Sequence, residues 1–196
     1  MSSYNEKDYW ESRYLNSFHS GEGSRGAELS QKIEFIKKHL SPEKHVLDLG
    51  HGDGELCFNL QKHVSSYTGY DISQTAVDFC TDRAVKENID YYKFYCSDLL
   101  DVKSRPVDIV LCIDVLFHMP SLEKFERAVE HICSFVSDCA ILTVWKPSIV
   151  EARKGTFAPH NNFFEFKEPA GFFVSDSLDI TSSSHKRILC LKRLTN

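Results

Sequence analysis

The stretch His45–Phe58, HVLDLGHGDGELCF, joins an apolar run to three alternating glycines and the beginning of a helical pattern. A short apolar run that ends at glycines is typical of a buried strand, and it covers residues 45–49. Glycines at this spacing allow the backbone to come close to a ligand. In an open α/β sheet, ligands bind where the strands end at their carboxyl termini. The stretch therefore predicts a strand, a ligand-binding turn and a helix.

Strand and helix patterns alternate on both sides of this stretch. Helices are predicted at residues 28–40, 55–63, 73–87 and 121–136, the last two capped by Ser73 and Ser121. Strands are predicted at residues 45–49, 67–70, 91–95, 107–113 and 139–145. This alternation is typical of a parallel sheet covered by helices on both faces. The strands predicted at 172–180 and 186–194 are joined by a turn too short for a parallel return. We expect an α/β, Rossmann-like, doubly wound seven-stranded sheet, mainly parallel with one antiparallel strand.

The composition describes an ordinary globular chain that we expect to form one domain. It has 196 residues, a net charge of −5 and 42% hydrophobic residues, so it has no general attraction for nucleic acid or an anionic membrane.

The seven cysteines form no CxxC pair, which indicates free thiols, a reducing compartment and no zinc site. The N-terminus lacks the apolar region of a signal peptide, and no apolar stretch could span a bilayer. We expect a cytoplasmic protein.

The charges around the glycines favour one class of cofactor. Asp48, Asp53 and Glu55 surround the turn, and their carboxylates would repel a pyrophosphate but attract a cation. Asp71 ends the second strand, where a carboxylate can accept both hydroxyl protons of a ribose. Asp98 follows the third strand and is placed to accept from an adenine amino group. These features favour S-adenosylmethionine over a dinucleotide, because S-adenosylmethionine carries a sulfonium and an ammonium but no phosphate.

Four successive motifs carry a resemblance to a known family. VLDLGHGDG (46–54), YTGYDIS (67–73), FYCSDLL (94–100) and DIVLCIDVLFHM (108–119) resemble the motifs of class I S-adenosylmethionine-dependent methyltransferases, in the same order. The resemblance covers residues 44 to 145. It implies that glycines of the turn line the methionine part of the cofactor, that the second-strand acid holds the ribose, and that the third-strand acid and its neighbours meet the adenine. The cofactor-binding residues implied in these motifs are Asp48, Gly50, His51, Gly52, Asp71, Ile72, Asp98, Leu99 and Ile113.

The N-terminal segment, residues 1–30, carries a narrower resemblance. YWESRY (9–14) followed by SGEGSRG (20–26) is similar to methyltransferases encoded beside, or fused to, glycosyltransferases of polysaccharide assembly. This resemblance implies a sugar or glycan acceptor and a glycosyltransferase as partner. Residues 1–30 would form a lid over the cofactor. Tyr9, Trp10 and Tyr14 would cover the sulfonium by cation–π contact, and Arg13 would bind the methionine carboxylate. The alternative is a helix that packs its aromatic side chains onto the domain.

Methyl transfer to a hydroxyl also needs a base that removes the hydroxyl proton. His118 is the first candidate and Asp114 the second, since both follow the fourth strand. His160, in the loop after the fifth strand, is the third. The alternatives are a structural role for His118 and, for Asp114, a contact with the substrate or the cofactor's ammonium. No acidic pair follows the fourth strand, so we expect no metal.

Three functions remain open at this point. The first is O-methylation of a sugar hydroxyl, with residues 44–145 as the cofactor-binding core and residues 146–196 as substrate loop and closing strands. The second is methylation of another small molecule at nitrogen or oxygen. The third is a non-catalytic module that binds S-adenosylmethionine, which the intact glycine turn and its two acids disfavour.

Overall fold

The protein is built on one seven-stranded sheet. The structure, a computed structural model, describes residues 5–17, 19–153, 162–182 and 185–195. The strands are β1 (His45–Leu49), β2 (Ser66–Asp71), β3 (Tyr92–Cys96), β4 (Val107–Cys112), β5 (Val136–Trp145), β6 (Phe172–Asp179) and β7 (Lys186–Arg193). The helices are α1 (Glu6–Ser17), α2 (Gly26–Lys37), α3 (Glu55–Phe58), α4 (Gln74–Lys86), α5 (Leu122–Ser134) and α6 (Pro147–Ala152). Short 3₁₀ turns occur at Glu22–Ser24, Gln61–His63, Leu99–Asp101 and Leu116–His118.

The strand order is β3-β2-β1-β4-β5-β7-β6. Strands β1 to β5 pair in parallel, whereas β7 runs antiparallel to both β5 and β6. The order reverses between β1 and β4, which is the switch point where open α/β sheets form their ligand crevice. The predicted fold class is confirmed, including its single antiparallel strand.

Alternate residues of the strands enter two separate cores. Val46, Ile109 and Ile141 pack with α2, α3 and α4 on one face of the sheet. Leu47 and Val110 pack with α5 on the other face. Since both faces are covered, the central strands are apolar on both sides, as the continuous apolar pattern predicted.

The predicted helix at 55–63 is wrong in its second half. α3 ends at Phe58, and a 3₁₀ turn follows at residues 61–63. The Asn59 amide donates to the carbonyl oxygen of Glu55 at 2.7 Å, so a side chain competes here with the backbone for a helical acceptor. The predicted caps are confirmed, because the hydroxyls of Ser73 and Ser121 accept from backbone N–H groups in the first turns of α4 and α5.

All seven cysteines are free thiols. Six are buried, and Cys96 is exposed at the end of β3. The Cys96 thiol donates weakly to the Ile72 carbonyl oxygen at 3.5 Å.

The described helices are at most 13 residues long. A transmembrane helix needs about 20 apolar residues. None of the helices in the described ranges could therefore cross a membrane.

Candidate active site

A cavity of about 340 Å³ lies at the carboxyl ends of β1 to β4 and is walled on one side by α1. Its volume is in the range of small-molecule sites. All the residues predicted to bind the cofactor line it, namely Tyr9, Trp10, Arg13, Asp48, Gly50, His51, Gly52, Asp71, Ile72, Asp98, Leu99 and Ile113. Asp114 and His118 line it too, whereas His160 lies outside the described residues. The structure thus brings the predicted residues together, and their individual roles stay predictions.

The glycine turn requires residues without a side chain. Gly50 has φ +95° and Gly52 has φ +59°, both in the region that favours glycine. A Cβ on Gly50 would overlap the side chain of Val115, and one on Gly52 would overlap the hydroxyl of Ser20. The turn therefore packs backbone directly against the loop after β4 and against the segment after α1.

Asp71 ties the turn to the beginning of α4. Its carboxylate is buried and accepts from the backbone N–H of Gly52 at 2.9 Å and of Ser73 at 3.0 Å. Each carboxylate oxygen has a second lone pair, so Asp71 keeps acceptor capacity for a ligand hydroxyl.

Two of the acids around the turn are paired with arginines. Asp53 accepts from Arg25 at 2.8 Å, and Glu55 accepts from Arg83 at 3.1 Å. The negative charge that the sequence shows near the turn is therefore largely compensated. Arg25 and Arg83 are 28 residues from their partners, so the spacing of charges along the chain did not reveal the pairing.

Asp48 is the buried acid beneath the turn. The Tyr67 hydroxyl donates to its Oδ2 at 2.5 Å, and its Oδ1 has no hydrogen-bond partner among the described residues. Burial raises the pKa of Asp48 to about 7, although the Tyr67 hydroxyl lowers it. Asp48 thus offers an unused oxygen at the cavity.

The side chain of His51 is buried in the core. Its ring is 5% exposed and lies edge-on against Phe94, with centroids 4.9 Å apart. Its Nδ1 is 2.9 Å from the Gly52 carbonyl oxygen, which makes Nδ1 the protonated nitrogen. Burial lowers the pKa of His51, so the imidazole is neutral. Its hydrogen bond to the Gly52 carbonyl oxygen stabilises the turn.

Helix α1 makes polar contacts with the rest of the site. In the Glu11 latch, the carboxylate of Glu11 accepts from the hydroxyls of Ser73 at 2.7 Å and Thr75 at 2.5 Å. In the Lys124 bridge, the ammonium of Lys124 donates to Glu6 at 2.6 Å and to Asp98 at 3.0 Å. The bridge joins α1 to the end of β3.

Asp114 is part of a buried cluster that the sequence did not reveal. We define the lysine–carboxylate cluster as Glu28, Lys32, Asp114 and Lys186. Both ammonium groups donate to the Oδ2 of Asp114 and to the Oε1 of Glu28. Burial raises the pKa of Asp114, but the two lysines outweigh it and hold this pKa below its usual value. A carboxylate held in this way is a poor proton acceptor. Within the described ranges, no three His, Cys, Asp or Glu side chains form a metal site.

His118 ends the 3₁₀ turn that follows β4. Its backbone N–H donates to the Val115 carbonyl oxygen at 2.9 Å. Its ring contacts Trp10 of α1 and Phe117 edge to face, with centroids 4.9 and 4.7 Å apart. An imidazole therefore stands in the cavity wall between the helix α1 and the loop after β4.

Comparisons with known proteins point to one family. Residues 40–186 match the model of a methyltransferase domain family. The ubiquinone biosynthesis O-methyltransferase of Coxiella burnetii is 29% identical over 96 residues, which are 47% of this chain and 41% of that protein. The chain thus matches about two fifths of the length of this relative.

Solved structures share the fold at low sequence identity. The magnesium protoporphyrin IX methyltransferase of Synechocystis, solved with S-adenosylhomocysteine, has a TM-score of 0.74 at 20% identity, and the match covers 96% of this chain and 98% of that one. An N-methyltransferase of Bradyrhizobium japonicum, also in complex with S-adenosylhomocysteine, has a TM-score of 0.73 at 10% identity, covering 96% and 99%.

Proposed function

The chain belongs to the methyltransferase domain family and uses S-adenosylmethionine, and we propose that it methylates a hydroxyl oxygen of a small acceptor. The observation that carries the proposal is the imidazole of His118 in the cavity wall, at the end of the 3₁₀ turn that follows β4. A hydroxyl needs a base to become an effective nucleophile, and histidine is the side chain that most often serves as one. The name of the Coxiella burnetii relative, an O-methyltransferase, supports an oxygen acceptor.

The cavity contains groups that fit the cofactor. The Nε of Arg13 is buried and has no hydrogen-bond partner among the described residues, which suits it to bind the carboxylate of the methionine part. Asp48, whose Oδ1 has no hydrogen-bond partner among the described residues, lines the same cavity, as does Gly50. In our proposal Asp71 holds the ribose hydroxyls, and Asp98 accepts from the adenine amino group. When bound, S-adenosylmethionine supplies a methyl group made electrophilic by its sulfonium.

The residues of this chain would orient the acceptor and take its proton. His118 would accept the hydroxyl proton on an imidazole nitrogen. Trp10, in contact with that imidazole, would keep water out while α1 is closed. Asp114 would keep the loop in place rather than act as base, because Lys32 and Lys186 already hold its carboxylate.

The proposed acceptor is described by the class of hydroxyl group that it carries. The motif in residues 9–26 favours a sugar or glycan hydroxyl, with a glycosyltransferase as partner. The names of the relatives include a ubiquinone-biosynthesis enzyme and a porphyrin enzyme and do not include a sugar. A sugar hydroxyl and a phenolic hydroxyl both need a base, so the proposed role of His118 covers both.

A panel assay with labelled S-adenosylmethionine tests the proposal. The panel contains nucleotide sugars and oligosaccharides, catechol-type phenols, and primary amines. Label in a sugar or a phenol supports a hydroxyl acceptor and tells the two apart. Label only in amines would overturn it. If S-adenosylhomocysteine binds in calorimetry but no compound is labelled, the non-catalytic module becomes the better description.

A further inference from the structure

We propose that the lysine–carboxylate cluster is a positioning device for the loop that carries His118. This inference rests on the proposed function, because it gives His118 the role of base. The cluster residues come from α2, from the loop after β4 and from the beginning of β7. Lys32, Asp114 and Lys186 line the cavity.

The cluster is largely buried and balanced in charge. Lys32 is 1% exposed, and its ammonium donates to the Gly23 carbonyl oxygen at 2.9 Å, to Glu28 at 2.7 Å and to Asp114. Lys186 donates to Glu28 at 2.7 Å and to Asp114 at 3.1 Å. Two ammonium groups thus face two carboxylates, so no net charge is buried.

The cluster holds Asp114 in an unusual backbone conformation. Asp114 has φ +60°, which is uncommon for a residue other than glycine. Its N–H donates to the Thr143 hydroxyl oxygen at 2.5 Å, and that hydroxyl donates to the Asp114 Oδ1 at 3.0 Å. Such a conformation persists only where the surroundings determine it, and here β5 and both lysines do so.

A continuous set of contacts leads from Asp114 to the imidazole. Val115 packs against Gly50, where even a Cβ would overlap it. The Lys186 ammonium lies 5.2 Å from the centre of the Phe117 ring, and this ring contacts Trp145 at 4.5 Å between centroids. The same Phe117 ring contacts the imidazole of His118. Asp114 and Phe117 thus both contact Lys186 and strand β5, and the cluster holds the residue at which the loop begins.

A role in selecting one conformation of the loop explains why the lysine–carboxylate cluster consists of charged residues. Buried ion pairs are often no more stabilising than apolar residues of the same volume, because removing the charges from water is costly. Apolar packing would join the same elements but would allow more than one arrangement of the loop. Ion pairs and hydrogen bonds with defined directions select a single one.

The experiment follows the His118 ring by NMR in protein with labelled histidine and bound S-adenosylhomocysteine. His118→Gln assigns the signal. Thr143→Val removes the hydroxyl that holds Asp114 and preserves shape and charge. Lys186→Met removes one cluster cation. Lys44→Met is the matched control, because it removes a lysine paired with Asp138 near the amino-terminal ends of β1 and β5, away from the cavity.

We expect the His118 signal to shift and broaden in Thr143→Val and Lys186→Met, to return in Lys186→Arg, and to stay unchanged in Lys44→Met. Affinity for S-adenosylhomocysteine should not change. An unmoved His118 signal in folded Thr143→Val and Lys186→Met overturns the inference. This measurement needs no acceptor, so a failed panel assay would count against the proposed function alone.

Discussion

Trp10 of α1 and His118 of the loop after β4 meet edge to face, with ring centroids 4.9 Å apart. The helix that walls the cavity therefore also touches the candidate base. The lid role proposed for α1 would link its closing to the access of an acceptor to His118.

His118→Ala should lower turnover by roughly 10²–10⁴-fold while the affinity for S-adenosylhomocysteine stays at the wild-type level. The reason is that the variant loses the proton acceptor and keeps the groups proposed to hold the cofactor. Steady-state kinetics with an acceptor from the panel and calorimetry measure the two effects. His45→Ala is the control, since His45 is exposed at the amino end of β1. Near-normal turnover in His118→Ala would remove His118 from the mechanism.

The Glu11 latch should make the docking of α1 sensitive to acid. Hydrogen bonds from Ser73 and Thr75 hold the pKa of Glu11 below its usual 4.5. A lowered pKa in the docked state means that the ionised form stabilises docking above about pH 4.5, and that this is lost as the pH falls through the lowered pKa. Glu11→Gln should therefore bind S-adenosylhomocysteine more weakly than wild type at pH 7. The difference should shrink below pH 4.5.

Calorimetry across this pH range measures the effect. Glu87→Gln, which removes a carboxylate paired with Arg83 on the surface of α4, is the control. A difference between Glu11→Gln and wild type that stays constant into acid would contradict the latch.

Gly50→Ala should damage both stability and cofactor binding. An alanine at this positive φ costs about 1–3 kcal/mol of unfolding free energy. The overlap of its Cβ with Val115 adds about 1–3 kcal/mol. Gly171→Ala separates the two effects, because Gly171 also has a positive φ, +79°, but no atom within 4 Å of an added Cβ. Urea denaturation should show the larger loss in Gly50→Ala, and adding Val115→Ala should recover part of it. Equal losses at the two glycines would rule out the overlap.

Asp71→Ala should weaken binding of S-adenosylhomocysteine by about 1.5–3 kcal/mol, the scale of hydrogen bonds to a charged group. It should also lower the melting temperature, because the N–H groups of Gly52 and Ser73 lose their acceptor. Asp71→Asn keeps one acceptor oxygen and should recover part of the stability. An unchanged dissociation constant in Asp71→Ala would show that this acid does not contact the cofactor.

Asp114→Asn should act mainly on stability. Losing this charge leaves the buried ammonium of Lys32 and the largely buried ammonium of Lys186 with one carboxylate. Breaking a buried ion pair costs about 3–5 kcal/mol of unfolding free energy. Asp138→Asn is the control, because its pair with Lys44 is more exposed, and a surface pair contributes about 0–1 kcal/mol. Wild-type stability combined with lost turnover would instead return Asp114 to the list of candidate bases.

The elements that the sequence predicted correctly are those specified by local patterns. The strand at residues 45–49 and the caps Ser73 and Ser121 depend on neighbouring residues, so periodicity and cap chemistry were sufficient to find them. The helix predicted at 55–63 failed because Asn59 bonds to the backbone within the same turn. The positions of the acids at the strand ends follow from the parallel sheet alone.

The charge partners of the site could not be predicted in this way. Glu11 is 62 residues from Ser73, Lys32 is 82 residues from Asp114, and Glu6 is 118 residues from Lys124. No period along the chain connects such pairs, because tertiary packing alone brings them together. The compensation of the acids around the turn was missed for the same reason.

The exposure of Cys96, against six buried thiols, provides a single attachment point for a reporter. Burial raises the pKa of this thiol and a nearby Lys7 lowers it, so labelling is best done under mildly alkaline conditions. The carboxylate of Glu11 also raises the pKa of this thiol, so a label on Cys96 lies close to α1. A maleimide dye at Cys96 would therefore test the lid motion proposed for α1 without any engineered cysteine, and the unaltered chain is already suited to fluorescence kinetics.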